Sequence, residues 1–124
     1  MKQPVSTEHA PQAIGPYSQG ILFSDLIFTS GQIPVNPADS KIPEGITEQT
    51  KQSLSNLKAV IEAAGGSADK ILKVTVFLKD INDFNAMNEV YSAFFPKPFP
   101  ARTCVEVSRL PKDVLVEIEA IAYK

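Results

Sequence analysis

The chain of 124 residues has one cysteine and one histidine. A lone cysteine cannot form an internal disulfide, so the fold must rest on its core. With Cys104 and His9 as the only soft ligands, a protein metal site would need carboxylates alone, and a zinc site is not expected. A large excess of charge of one sign is also missing. The formal net charge is −2, and no run of basic residues occurs, which argues against nucleic acid and anionic membrane as partners. No stretch approaches the ~18 apolar residues of a membrane span. Met1-Lys2-Gln3-Pro4 has no apolar segment behind it, so no signal peptide is expected. These absences point to a reduced, cytoplasmic protein forming a single domain over residues 1–124.

What is plentiful is proline, ten in all, placed as punctuation. Between the prolines run periodic segments. Tyr17–Phe23 and Leu26–Gly31 read as a hairpin turning at Ser24-Asp25. Residues from Val35 to Gly45 are polar and proline-rich, a surface loop. A helix opens at Ile46, with Thr47 as candidate N-cap and Glu48 in the first turn. Its apolar stripe is Ile46, Thr50, Leu54, Leu57, Ile61 and Ala64, and Gly65-Gly66 stops it.

Ile71–Lys79 is a β-branched run, with Leu72, Val74, Val76 and Leu78 expected on one face. A second helix from about Asp83 carries Phe84, Met87, Tyr91 and Phe94 as its stripe; Asn88, four after Phe84 and three before Tyr91, puts a polar amide on the buried face, and Pro96 ends the helix. Thr103–Arg109 and Val114–Tyr123 are the last strands. The order β-β-α-β-α-β-β gives an α+β sandwich, a mixed sheet with both helices on one face. Phe77, Val105, Val107, Leu115 and Ile121 then lack a cover, and a second copy of the chain is the expected one.

The chemistry concentrates near the C-terminus. On a strand, Arg102 and Cys104 share a face, and Glu117 and Glu119 share a face of the next strand. Arginine is a fork for carboxylate or phosphate. By residue type alone, a strand arginine is more often a solvated or cross-strand group, a lone cysteine a small core residue, and a carboxylate pair surface charge. A nucleophilic thiol needs an adjacent base, and His9 sits far off in the N-terminal segment.

Ala13-Ile14-Gly15-Pro16-Tyr17-Ser18-Gln19-Gly20, Ser30-Gly31-Gln32-Ile33-Pro34, Gln52-Ser53-Leu54 with Asn56-Leu57-Lys58-Ala59, Lys73–Phe77 and the segment from Pro100 to Glu119 stand in this order. Together they resemble the Rid family, the YjgF-like reactive intermediate deaminases, over nearly the whole chain. The resemblance implies a chorismate-mutase-like fold, a homotrimer with clefts between subunits, and no cofactor. It implies hydrolysis of imines and enamines such as 2-aminoacrylate and 2-iminobutanoate to 2-oxo acids and ammonia.

By the same resemblance Arg102, Glu117 and Cys104 are the candidate catalytic residues. Arg102 grips the substrate carboxylate, Glu117 handles water, and Cys104 belongs to the cleft. Tyr17, Ser30, Gly31 and Asn88 line it. The short, proline-rich stretch Phe95–Phe99 departs from the longer loops of some members and leads directly to Arg102. Two other classes compete. One is a small-carboxylate-binding or regulatory protein, which would need Arg102 but not Glu117. The other is an RNA-binding translation inhibitor or ribonuclease, which the acidic balance disfavours.

Overall fold

The computed structural model describes residues 1–124. Six strands and two helices follow in the order β1 (Gln3–Val5), β2 (Gly20–Phe23), β3 (Leu26–Thr29), α1 (Ile46–Ala63), β4 (Ile71–Leu78), α2 (Phe84–Phe94), β5 (Ala101–Glu106) and β6 (Val116–Tyr123). They form one mixed sheet in the order β1-β2-β3-β6-β4-β5. Only β4 and β5 are parallel, joined by the crossover through α2. The α+β sandwich expected from the sequence is the architecture observed.

Strand β1 is an addition to the sequence reading. Its three residues carry a proline and have no apolar alternation, but Gln3, Pro4 and Val5 pair with Leu22, Ile21 and Gly20. As an edge strand it tolerates the missing N–H. The hairpin β2–β3 forms with Ser24 at φ 55 in the turn, but it starts at Gly20. Tyr17 therefore lies on the preceding loop.

Both helices cover the same face of the sheet. Leu54, Leu57, Val60 and Ile61 of α1 and Met87 and Tyr91 of α2 join Ile27, Val74, Val76, Leu78, Val116, Ile118, Ala120 and Ala122 in one core. Each large aliphatic side chain fully buried there contributes roughly 1.5–3 kcal/mol. The start of α1 differs from expectation. Gly45, not Thr47, is the N-cap, and it offers no side-chain bond. The C-terminus closes as a Schellman motif: Gly65 at φ 94 donates to the Glu62 carbonyl (3.0 Å) and Gly66 to that of Ile61 (2.9 Å).

Strand β4 is shifted relative to the alternation read from sequence. A bulge between Ile71 and Lys73 turns Ile71 into the core and Leu72 outward, where it is 46% exposed. Strands β5 and β6 are also shorter than expected. The C-terminal side of β5 gives way to a loop braced by Arg109 on Asp113, and β6 begins only at Val116.

The second face of the sheet is open. Along β6, Val116, Ile118, Ala120 and Ala122 point to the helices, so Glu117, Glu119 and Ile121 point away. Phe77 lies between Glu117 and Val105 on neighbouring strands. Val105, Phe28 and Tyr123 stay about 40% exposed. No helix is long and apolar enough to cross a membrane.

Candidate functional site

Arg102 sits on the edge strand β5 opposite Val74 of β4, so its side chain shares the helix face with the core. It is not free there. Its NH1 donates to Asn88 Oδ1 at 2.7 Å and lies 3.8 Å from the Met87 sulfur. The guanidinium carbon is 4.7 Å from the centre of the Tyr91 ring and 5.4 Å from that of Phe84. One helical face therefore orients one strand arginine through an amide and two aromatic rings. No carboxylate pairs with it; the ion pairs of the chain are Lys51–Glu48 and Arg109–Asp113. Arg102 borders a cavity of about 250 Å³ with Asn88, Tyr91, Ser92, Phe99 and Pro100.

Cys104 lies two residues along the same face, half-buried against the core. Burial pushes its thiol up, and the nearby Arg102 charge offsets this only in part. A thiol held protonated is a poor nucleophile.

Glu117 is on the other side of the sheet. Its carboxyl is held above the ordinary range, first by burial and second by the charge of Glu119. The carboxylate rests on Gly31, where a Cβ would stand 1.9 Å from Oε2. Only glycine leaves that space. The strand-end segment is fixed independently of Glu117. Gln32 exchanges two backbone bonds with Ile118 (2.8 and 3.2 Å), and Ser30 Oγ donates to the Ser18 carbonyl at 2.6 Å.

Gly31 and the exposed Tyr17 border a second cavity, about 490 Å³, together with Ala10, Pro11, Ile14 and Lys112. Its N-terminal wall is clamped by Gln19, 3% exposed, which accepts from Thr7 N and donates to the carbonyls of Thr7, Ala10 and Pro11.

The expected residues thus fall into two groups within one chain. Arg102, Cys104 and Asn88 are on the helix face at the β5 edge. Glu117 and Gly31 meet on the open side, with Tyr17 and Ser30 on the loops beside them. The two groups are not brought together, because alternation puts Arg102 and Glu117 on opposite faces. Sequence reasoning missed Tyr91, Phe84 and Met87 as the bed of Arg102, and Gln19 as the clamp of the N-terminal wall. The first three were visible as the α2 stripe, which by period alone reads as core.

This arrangement can bind an anion at Arg102 and offers a carboxyl of raised proton affinity elsewhere. Residues 7–124 match the family model described as endoribonuclease L-PSP. A RutC family protein of Pyrococcus horikoshii is 58% identical over 125 residues, covering 100% of this chain and 99% of that one. The 2-iminobutanoate/2-iminopropanoate deaminase of Escherichia coli K12 is 54% identical over 127 residues, covering 100% and 99%. The crystal structure of the YjgF gene product from E. coli superposes with a TM-score of 0.96 at 54% identity, covering 98% of each chain.

Proposed function

The chain belongs to the YjgF/Rid family, and from that premise we propose that it is a deaminase of reactive 2-imino and enamine acids. Substrates of the 2-aminoacrylate and 2-iminobutanoate type are hydrolysed to 2-oxo acids and ammonia. The observation that carries this reading is Arg102: a guanidinium oriented by Asn88, Tyr91 and Phe84, facing a cavity with no carboxylate of its own.

The chemistry asks little more than placement. Arg102 binds the substrate carboxylate through its free edge. An enamine first takes a proton at C3 to become the iminium. Water then adds to the C=N carbon, losing a proton to Glu117 and forming a carbinolamine. Glu117 returns that proton to the amine; the C–N bond then breaks and ammonia leaves as the O–H electrons form the C=O bond, the hydroxyl proton passing to solvent, which supplied the one taken at C3. A carboxyl whose proton affinity is raised by burial is better suited than an ordinary one to take up a proton and hand it back. Cys104, with its raised thiol, acts as wall and not as nucleophile.

The reading needs two copies of the chain. Arg102 and Asn88 of one subunit face Glu117, Gly31, Ser30 and Tyr17 of its neighbour across a cleft, and a cyclic trimer forms three such clefts. The half-exposed apolar side chains of the open face, Phe28, Phe77, Val105 and Ile121, support an assembly that covers them.

The endoribonuclease reading rests on the family model's description. It would require an acid–base pair beside a phosphate site, but the single histidine, His9, is exposed on the N-terminal segment and no basic patch surrounds Arg102 to hold an RNA backbone.

The test generates 2-iminobutanoate in situ with a threonine dehydratase and follows ammonia release. The protein should accelerate release and the Arg102→Ala variant should not. No acceleration over several imino acids would overturn the reading.

A further inference from the structure

Two buried side-chain oxygens have no hydrogen-bond partner, Ser53 Oγ and the Tyr91 hydroxyl. Ser53 borders neither of the cavities described. Tyr91 borders the cavity that holds Arg102, and it is only 5% exposed. A buried hydroxyl without a partner costs about 1–3 kcal/mol. The ring alone would serve as the bed of the guanidinium, and a phenylalanine would supply it. Phe84, Phe94 and Phe95 show that phenyl rings fit this neighbourhood, with Tyr91 and Phe95 packed at 4.5 Å between centroids. The oxygen is therefore carried at a cost that neither packing nor stacking repays.

We propose that Tyr91 binds substrate directly, its hydroxyl donating to the carboxylate that Arg102 grips. The proposal rests on the deaminase reading for the identity of that carboxylate. Arg102 has committed NH1 to Asn88, and its remaining N–H groups make no other bond. A carboxylate on that free edge enters the cavity that Tyr91 also lines, where the unpartnered phenol is a second donor. One oxygen of the acid then takes the arginine, and the other takes arginine and phenol together. Burial has pushed the phenol up to about 12, so it keeps its proton at any physiological pH and remains a donor. The receptor for the acid group is then built on α2 by residues three apart, Asn88 aiming the arginine and Tyr91 completing the donor set.

Tyr91→Phe removes one oxygen and leaves the packing volume. The measurement is calorimetric titration of the intact protein with 2-oxobutanoate, the product acid, and with its uncharged amide. Wild type should bind the acid more tightly than the amide. Tyr91→Phe should bind the acid about 10- to 100-fold more weakly, the range of a hydrogen bond to a charged group. It should bind the amide as wild type does. Its melting temperature should be unchanged or higher, because an unpartnered hydroxyl has gone. Acid binding within about twofold of wild type overturns the proposal. A lowered melting temperature also overturns it, since the hydroxyl would then have a structural partner. Wild type binding acid and amide alike would instead sink the carboxylate reading of Arg102 itself.

Discussion

Gly31→Ala puts one methyl group where the Glu117 carboxylate now lies. The new Cβ would stand 1.9 Å from Oε2, 2.8 Å from Cδ and 3.0 Å from Cγ of that side chain. Relief requires the carboxylate to move by more than about 1 Å, even to reach a tight contact. Gly31 is not among the glycines with positive φ, so the backbone accepts alanine. The obstruction is the mobile end of a side chain and not main chain. The fold should therefore survive, with a melting temperature within about 5 °C of wild type. Activity should not. Misplacing a reacting group by 1 Å costs about 100-fold, and removing an acid–base group entirely costs about 10²–10⁴-fold. We expect kcat for imine hydrolysis to fall about 100-fold in Gly31→Ala, with KM nearly unchanged because Arg102 is untouched. The assay is ammonia release from 2-iminobutanoate generated in situ. Glu117→Ala sets the floor, and the double variant should be no slower than Glu117→Ala alone. Wild-type kcat in Gly31→Ala, or losses that multiply in the double variant, would refute the link between this glycine and Glu117.

Arg102→Lys keeps the charge but loses the fork and the flat surface that stacks on Tyr91; kcat/KM should fall about 10- to 100-fold, mostly through KM, in initial-rate kinetics. Glu117 has a raised folded-state pKa, so its protonated form favours the fold. That contribution is full below its ordinary value and is lost as pH rises through the raised one. Chemical denaturation across pH should therefore show Glu117→Gln gaining stability over wild type as pH rises toward neutral, with no gain at the acid end; a constant difference would contradict the burial argument. Cys104→Ala should retain activity within about fivefold, because a protonated thiol is no nucleophile. An inactive but folded variant would restore a chemical role to the sulfur. Gln19→Ala leaves buried backbone groups of the N-terminal wall unpaired and should cost about 1–3 kcal/mol in denaturant midpoint analysis, and an unchanged midpoint would show that the wall is held by other contacts.

The fold was legible wherever periodicity was strong. The α1 stripe at Leu54, Leu57 and Ile61 and the alternation of β6 needed no tertiary information. Three features were hidden for physical reasons. Strand β1 has a proline and no alternation, and it exists only because the β2 edge is available to pair with. The bulge that turns Leu72 outward is a property of the pairing with β6 and leaves no mark in the β4 sequence. The cap of α1 is a glycine at φ 84 with no side chain to bond the first turn, so no capping residue type marks it in the sequence. For the site, residue types suggested chemistry but not grouping. Arg102 and Cys104 were readable as one face, yet only the register shows that Glu117 points to the other. Asn88 and Tyr91 could be placed on the inner side of α2 by period, but their contact with Arg102 depends on the parallel β4–β5 crossover.

The central claim is that a working site takes Arg102 from one chain and Glu117 from another. It is tested by co-assembling two inactive variants, Arg102→Ala and Glu117→Ala, after denaturing and refolding them together in equal amounts. In a cyclic assembly with random subunit order, a site is intact when a Glu117→Ala subunit supplies the arginine and an Arg102→Ala neighbour supplies the carboxylate, which recovers about a quarter of the wild-type rate. A mixture that stays as inactive as its parents would contradict the claim and place the chemistry within a single chain.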